Sequence, residues 1–448
     1  MEKQPTVKIV ASSTAGELVC AASGRISTTQ GTALEILERS AQKDNNAALI
    51  GKVFASGHQS VIEHAVFSLA FDSVSVCTEE FVIEYRLASF TVQSRRYVDY
   101  SQAGFYLPEL PEQLRAPFSR HMQSLFDDYA RLLALDIPKE DARFVLPYCF
   151  RSNFFCTMNA RELLHMIEAM LWGRGSVFPE LKMLGESLRQ QFSVYFPGLI
   201  DRLEEKHQAV PVRSALPASL PEIPDPQPAA AETVLQDASR DAEQTVLDAA
   251  ACNYAILPDR PAELRDIVLG ERPRELELVQ ARFAIRRLSL AAVTHLVRHR
   301  IQSVLVPQVT QALLKNTYLL PESVKNCPEA LAVYTAAFQR NAQALRQMLG
   351  EGLPVRDAQY FAMAGNQIDV LCCMNGRELR HFFALRTCNR AQWEIRECAV
   401  SLLSQLRKVS PALYALMGPS CYVTGVCPEG RLSCGKAPEI RKIFSENF

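Results

Sequence analysis

The chain has 448 residues, more than one hydrophobic core usually serves, so two or more domains are expected. Hydrophobic residues make up 48% and charged residues 22%, which excludes a disordered chain and is typical of a folded globular protein. The 48 Lys and Arg against 49 Asp and Glu give a formal net charge of -1, which excludes bulk electrostatic attraction to nucleic acid or to an anionic membrane.

Three segments carry a clear secondary-structure pattern. Across residues 61–76 apolar and small polar residues alternate, which predicts a strand after a short helical turn. In residues 161–171 and 377–386 apolar residues recur at helical spacing, which predicts two amphipathic helices. Neither a G-x-G-x-x-G behind a strand nor a G-x-x-x-x-G-K is present, so Rossmann and P-loop sites are not supported. The expected fold class is therefore α+β.

A proline-rich segment lies near the middle of the chain. Between residues 208 and 232 prolines stand at positions 211, 217, 221, 224, 226 and 228. Because proline removes a backbone donor and favours an extended conformation, we expect a semi-rigid linker and not a packed element. It separates a first domain, residues 1–207, from a second, residues 233–448.

The two halves repeat the same motifs at a nearly constant distance. Motifs of the first half, Y-L-P-E, D-A-R and M-N-A-R-E-L, return in the second as Y-L-L-P-E, D-A-Q and M-N-G-R-E-L. The pairs of first residues are Tyr106 and Tyr318, Asp141 and Asp357, and Met158 and Met374. Because three unrelated motifs keep one register, we interpret the chain as a tandem duplication.

Several polar side chains have the chemistry of an anion site. Ser94 and Arg96 place a hydroxyl and a guanidinium two residues apart, a pair suited to a phosphate monoester. The triplet 298–300, Arg-His-Arg, is flanked by apolar residues and would seek a phosphate or carboxylate, the alternative being a solvated basic patch. Arg386, at a predicted helix end, could stabilise the oxyanion of a pyrimidine activated at C5, the alternative being a surface salt bridge. Isolated histidines such as His58 could equally be structural hydrogen-bonding groups.

Together these segments resemble the flavin-dependent thymidylate synthase family, twice, over nearly the whole chain. The hallmarks of that family are R-H-R followed after seven residues by Ser, an earlier H-x-S/T-x-x-E-H, and later N-A-R and A-Q-W-E-I-R; here they fall at 298–300, 58–64, 159–161 and 391–396. The resemblance implies C5-methylation of dUMP to dTMP with methylenetetrahydrofolate, FAD and NADPH, without a cysteine nucleophile. It also implies two copies of the family's α/β fold as an intrachain pseudo-dimer, and a homodimer of chains that resembles the family's tetramer.

Neither half keeps the family's full pattern. The first half has lost R-H-R and the late arginine, and the second has lost the nucleotide-binding serine and arginines. If the halves pair as family subunits do, one composite site keeps Ser94, Arg96, Arg143, Arg298 and Arg386. The opposite site would hold Glu84, Met170, Gln308, Thr310 and Gln359. Because the losses are segregated, we expect one retained site per chain, the alternative being a relic without a ligand.

The resemblance also implies roles for individual residues. Arg386 would polarise the pyrimidine, and His58 would gate or orient groups near the flavin. The nucleotide would be held by Ser94, Arg96, Arg143, His295 and Arg298. The flavin would be held by Ser60, Asn159, Arg161, His165, Arg298, His299, Arg300, Asn375, Arg377 and His381. For the Asn-x-Arg pairs, helix capping and packing are the alternative.

Two departures lie within the retained site and leave other functions open. Val92 replaces the family's Glu, and His295 replaces a Gln three residues before R-H-R's second position. The substrate could therefore be another uridine nucleotide, or the chain could be a non-catalytic flavin or nucleotide sensor. Nucleic-acid binding through Arg282, Arg286, Arg287 and the triplet 298–300 is the weakest alternative, because the net charge is near zero.

The cysteines are the last informative group. Thirteen cysteines, an odd number, are scattered along the chain, which argues against a disulfide framework and for a reducing, cytoplasmic compartment. No apolar stretch approaches the ~18 residues of a membrane span. In the tail, residues 418–436, Cys421, Cys427 and Cys434 are spaced more loosely than zinc knuckles. Without a fourth ligand, such as Cys388 or a histidine, we predict no metal, and zinc remains the alternative.

Overall fold

The computed structural model describes residues 3–209, 217, 219–253 and 263–446. It contains two compact units: the first is Met1–Ile223 with Asn326–Met363, and the second is Pro224–Lys325 with Ala364–Phe448. The predicted mixture of helix and sheet is confirmed. Among the described residues, no helix is both long and apolar enough to cross a membrane. The domain boundaries at 207 and 233 stay a prediction.

The part of the chain up to residue 209 alternates helices with four strands. The strands are β1 (Thr6–Ser12), β2 (Val66–Ser75), β3 (Ala88–Val92) and β4 (Arg151–Asn159). The helices are α1 (Gly16–Ile26), α2 (Ala33–Ala41), α3 (Asn46–Ala55), α4 (Val76–Ile83), α5 (Glu112–Ala134), α6 (Lys139–Ala142), α7 (Ala160–Leu171), α8 (Pro179–Ser193) and α9 (Leu199–Ala209). Short 3-10 helices span Gln59–His64 and Arg143–Val145.

From residue 227 onward a similar order of elements returns. The strands are β5 (Gln227–Pro228), β6 (Glu232–Ala238), β7 (Gln280–Ser289), β8 (Gln302–Leu305), β9 (Thr317–Tyr318) and β10 (Gln367–Asn375). The helices are α10 (Ala242–Asn253), α11 (Leu264–Leu269), α12 (Leu290–Leu296), α13 (Thr310–Lys315), α14 (Glu322–Lys325), α15 (Pro328–Gly350), α16 (Gly376–Arg386), α17 (Trp393–Val409), α18 (Pro411–Ala415), α19 (Ser420–Val423) and α20 (Ala437–Glu446). The 3-10 helices are Arg274–Leu278, Val355–Phe361 and Gly430–Leu432.

Each unit is built on a four-stranded antiparallel sheet. The strand order is β1-β2-β4-β3 in the first unit and β6-β7-β10-β8 in the second. In β2 the side chains of Phe67, Leu69 and Phe71 are buried, while their neighbours in sequence are more exposed, as expected for a sheet covered on one face. The predicted helical turn followed by a strand is confirmed by the 3-10 helix Gln59–His64 and β2.

The two predicted amphipathic helices are confirmed as α7 and α16. Both begin after an asparagine whose side chain caps the helix. Asn159 Oδ1 accepts a hydrogen bond from the Glu162 backbone N–H at 2.9 Å, and Asn375 Oδ1 accepts one from Glu378 N–H at 2.9 Å. These bonds satisfy backbone donors that the first helical turn leaves without a partner. The capping alternative for the asparagines is thus confirmed.

A glutamine fastens the first strand of each sheet to a helix. Gln191 on α8 accepts from the Ile9 N–H of β1 at 2.8 Å and donates to the same strand. Gln405 on α17 accepts from the Leu235 N–H of β6 at 2.9 Å and also donates to that strand. Because this pairing satisfies an edge strand from the side, it fixes the helix against the sheet. The same arrangement in both units agrees with a duplication.

A buried glutamate holds the end of the second strand in each unit. Glu180 accepts hydrogen bonds from the Ser75 backbone N–H at 2.7 Å and from the Ser75 hydroxyl at 2.5 Å. Glu394 accepts from the Ser289 N–H at 2.8 Å and from the Ser289 hydroxyl. Glu394 is the acidic residue of the A-Q-W-E-I-R segment. This position therefore has a structural role that survives in the first half, where the rest of the segment is lost.

The expectation that the proline-rich segment is unpacked is wrong for its described part, 219–232. Ile223 is 3% exposed, and its carbonyl accepts a hydrogen bond from Arg346 Nε at 2.8 Å. Gln227–Pro228 pairs in parallel with Thr317–Tyr318. Proline lacks only the N–H donor, so its carbonyl and extended backbone remain available for pairing. Residues 210–216 and 218 lie outside the described residues.

We expect Glu394→Ala to destabilise the chain by about 3 kcal/mol, because it leaves two buried donors of Ser289 without an acceptor. The melting temperature should fall by roughly 6–12 °C in differential scanning calorimetry. Glu397 is exposed on the same helix, and Glu397→Ala should shift the melting temperature little. Equal shifts for both variants would contradict this role of Glu394.

Candidate functional site

The second unit contains a cavity of about 910 Å³, a size typical of small-molecule and cofactor sites. It lies where the loop after α12, the start of α16 and the tail around α19 meet. The structure brings together here all the second-half residues that the resemblance assigns to the flavin. They are Arg298, His299, Arg300, Asn375, Arg377 and His381. Their roles in binding stay predictions.

A buried histidine joins the two ends of α16. His299 is 3% exposed, and its Nδ1 lies 2.8 Å from Glu378 Oε1 in the first turn of the helix. Arg386, in the last turn, donates a hydrogen bond from Nε to His299 Nε2 at 3.0 Å. Arg386 does not line the cavity, so among the described residues its link to the cavity wall runs through His299. The arrangement is a continuous chain of carboxylate, imidazole and guanidinium.

This chain determines the protonation state of the imidazole. An arginine Nε–H can only donate, so His299 Nε2 must be an acceptor and the proton must be on Nδ1, which donates to Glu378. Burial lowers the pKa of His299, the hydrogen bond to Glu378 opposes that change, and the charge of Arg386 adds to it. His299 is therefore neutral at physiological pH and orients Arg386 and Glu378.

Ion pairs fix the arginine of each Asn-x-Arg motif. Arg161 Nη1 lies 2.6 Å from Glu63 Oε1, and Arg377 Nη1 lies 2.5 Å from Glu277 Oε1. Glu63 is the acidic residue of the H-x-S-x-x-E-H segment, and Glu277 occupies the corresponding 3-10 helix in the second unit. The expectation that this segment has vanished from the second half is thus corrected for its glutamate. The repeat offset of 214 was the signal that could have found it.

Sequence reasoning also missed Arg380, which lines the same cavity. It lies three residues after Arg377 and so on the same face of α16. Burial, and then the nearby charge of Arg377, lower the pKa of Arg380. Two cations beside a cavity repel each other, and a bound anion would relieve that repulsion. The signal was the helical spacing of the two arginines.

In the first unit the predicted nucleotide residues gather around one glutamate. Arg96 Nη2 lies 3.0 Å from Glu140 Oε2, and Arg143 Nε donates to the Glu140 carbonyl at 3.0 Å. The Ser94 hydroxyl accepts from the Arg96 backbone N–H at 3.3 Å. Arg143 is 3% exposed, so its charge is held in place by the fold. Glu140 was not among the predicted site residues.

The first unit replaces the chain of carboxylate, imidazole and guanidinium with other groups. At the repeat offset, Tyr85 corresponds to His299 and the buried Met170 to Arg386. Burial, and then the charge of Glu162, raise the pKa of Tyr85 well above its usual range. Glu84, at the first position of the lost R-H-R, forms an ion pair with Arg174. Its negative charge is therefore compensated within the unit.

The remaining predicted residues lie apart from these clusters. His58 and Ser60 are exposed at the start of the 3-10 helix Gln59–His64. His165 on α7 has its Nδ1 3.8 Å from Glu162 Oε2. His295 is half-buried in the last turn of α12 and does not line the cavity. None of these positions tests the role that the resemblance implies.

Two groups have ligand types that suit a metal. The ligating atoms of His299, Glu378 and His381 all lie within 4.8 Å of one another. In the tail Cys421 is buried, and Cys427 and Cys434 are half-buried. Imidazole and carboxylate are shared by many divalent metals, whereas thiolates favour zinc.

The duplicated α+β fold and the arginine-lined cavity define a protein that binds an anionic ligand. The sequence matches the family described as thymidylate synthase complementing protein (Thy1) over residues 8–197 and 230–412. The chain belongs to this family, and the two matched segments agree with a tandem duplication.

Individual relatives support the assignment. The chain is 38% identical over 174 residues to the flavin-dependent thymidylate synthase of Geobacter sulfurreducens, covering 38% of this chain and 75% of that one. It is 34% identical over 188 residues to the enzyme of the same name from Clostridium tetani, covering 38% and 74%. A crystal structure of the UMP/dUMP methylase PolB from Streptomyces cacaoi, bound with 5-Br dUMP, aligns at 23% identity and a TM-score of 0.37. That alignment covers 46% of this chain and 96% of that chain.

We expect His299 to titrate below the ordinary histidine pKa of about 6.5, so the unfolded chain binds more protons between the two values. Stability should therefore be lost as the pH falls below about 6.5. Histidine-labelled NMR would follow the titration, with His299→Gln identifying the signal. Glu378→Gln should lower the pKa of His299 further, and an unchanged or raised value would contradict the proposed hydrogen-bond chain.

Proposed function

We propose that this chain catalyses the reductive C5-methylation of dUMP to dTMP, with FAD, NADPH and methylenetetrahydrofolate. The observation that carries the proposal is the clustering of six family-matched residues at one cavity of the second unit. Membership of the Thy1 family supports the same reaction. The cytoplasm is the expected compartment, and a homodimer of chains is the expected assembly.

The residues at the cavity fit an anionic dinucleotide such as FAD. Arg298 and Arg300 are exposed beside it, and Arg380 is partly buried next to Arg377. Guanidinium groups pair with phosphate oxygens and stack on flat rings. Arg298, Arg300 and Arg380 would hold the diphosphate and ring system, and His381 would lie at their side. The flavin, when bound, would supply the hydride for the methylation.

The nucleotide would use residues that only the first unit retains. Ser94, Arg96 and Arg143 offer a hydroxyl and two guanidinium groups around Glu140. These donors suit the phosphate of dUMP, which would compete with Glu140 for Arg96. The second unit has Gln308, Thr310 and Gln359 at the matching sequence positions.

We further propose one composite site per chain, because the retained residues of the two halves are complementary. Arg298 and Arg386 of the second half would complete the nucleotide site begun by the first. Arg386 would stabilise negative charge that develops on the pyrimidine, and neutral His299 would keep its guanidinium oriented. Two chains would then have two sites where four separate subunits have four.

Arg386→Ala should lower turnover by about 10²–10³-fold, the cost of losing one oxyanion donor. Turnover is measured as tritium release from 5-tritiated dUMP under anaerobic conditions with FAD, NADPH and methylenetetrahydrofolate. Glu84→Ala, at the decayed site, should leave the rate within about twofold, because the composite site does not use it. Equal losses in the two variants would refute the composite site.

Flavin stoichiometry tests the asymmetry of the two halves directly. We expect about one FAD per chain by absorbance, and Arg300→Ala should weaken FAD binding by roughly tenfold through loss of a charge-assisted hydrogen bond. Arg86 is the exposed counterpart of Arg300 in the first half, and Arg86→Ala should leave FAD affinity unchanged. Two FAD per chain, or equal weakening by both variants, would contradict one retained site.

A second candidate is a non-catalytic sensor of flavin or nucleotide, which the departures at Val92 and His295 favour. Val92 ends β3, two residues before Ser94, so an apolar group replaces a carboxylate beside the nucleotide residues. Stoichiometric FAD binding without tritium release from dUMP would support this candidate. Release from 5-tritiated UMP but not from dUMP would instead indicate another uridine nucleotide.

A further inference from the structure

The loop 424–436 in the tail has no apolar core of its own. Its two largest apolar residues, Val426 and Leu432, are 67% and 66% exposed. The side chains that turn inward are those of Cys427, Ser433 and Cys434, which are half-buried, while the rest of the loop is exposed. A loop that buries so little apolar surface requires another source of stability.

Two more cysteines of the second unit approach this loop from other elements. Cys421 is buried on α19, and Cys388 follows the end of α16 by two residues. Burial, and then the charges of Cys388, Cys427 and Cys434, raise the pKa of the Cys421 thiol. The four thiols therefore lie within reach of one another's charge, although they are far apart in sequence.

Hydrogen bonds hold the four cysteine segments in this arrangement. Arg390 Nε donates to the Leu432 carbonyl at 2.5 Å, which joins the end of α16 to the loop. Arg441 Nε donates to the Cys421 carbonyl at 2.8 Å. The Arg390 backbone N–H points at Cys388 Sγ, 3.5 Å away, a contact that stabilises negative charge on the sulfur.

We propose that Cys388, Cys421, Cys427 and Cys434 bind one structural zinc ion. Four thiolates suit tetrahedral zinc, with Zn–S distances of about 2.3 Å. Among the described residues only His299, Glu378 and His381 have ligating atoms all within 4.8 Å, so the thiols must move closer together on binding. The exposed loop 424–436 has room for that movement. Each thiol releases its proton as it binds the metal.

The position of this site links it to the cavity described above. Ser420 and Val423 of α19 line that cavity on either side of Cys421. The metal would thus fasten α19 to the end of α16 and hold one wall in place. Zinc binding itself does not depend on the proposed function, whereas an effect on FAD affinity does.

The test is the metal content of the purified full-length chain, measured by inductively coupled plasma mass spectrometry. We expect about one zinc per chain, falling at least fivefold in Cys427→Ser and in Cys434→Ser. Cys252→Ser changes an exposed cysteine on α10 and should keep the metal, as should His381→Ala. X-ray absorption should show four sulfur ligands at about 2.3 Å.

Other outcomes overturn the proposal. These are a chain without zinc even after reconstitution, zinc lost only in His381→Ala, or iron with sulfide in place of zinc. If the serine variants fail to fold, release of zinc from the wild-type chain by a mercurial, read with a chromogenic chelator, still decides. Zinc present with no FAD bound would refute the proposed function alone.

Discussion

The geometry of the cavity depends on one neutral imidazole held between a carboxylate and a guanidinium. His299 reaches Glu378 in the first turn of α16 and Arg386 in the last, so one buried side chain fixes both ends of that helix. Because His299 points inward, its neighbours Arg298 and Arg300 are left exposed beside the cavity. A charged imidazole could not accept from Arg386, so the arrangement requires the low pKa that burial produces.

Comparison of the two units separates stability from ligand binding. The residues retained in both halves satisfy buried or helix-end groups: the asparagine caps, Glu180 and Glu394, and the glutamines that fasten the edge strands. Loss of such a residue would destabilise its own unit. Residues such as Arg386 and Arg143 occur in one half only, which is expected when a side chain serves a ligand and not the fold.

Much of the fold followed from periodicity, because α7, α16 and β2 bury one face and their apolar spacing records it. The six cavity residues followed from the R-H-R and N-G-R segments. Glu140, Glu277 and Arg380 did not, since an ion pair between distant segments leaves no local pattern. The packing of residues 219–232 was missed because proline content reports lost donors and not the acceptors that remain.

The shared ion pairs bear on what the Asn-x-Arg motif does. Arg161 and Arg377 each pair with a glutamate of the preceding 3-10 helix, and this pair persists in the first unit, where the neighbouring imidazole and late arginine are gone. If the arginine served only the flavin, its retention beside Tyr85 and Met170 would have no physical reason. The simplest account is that the motif first anchors the helix to the sheet. The second unit then uses the anchored helix to present Arg380 and His381 to the cavity.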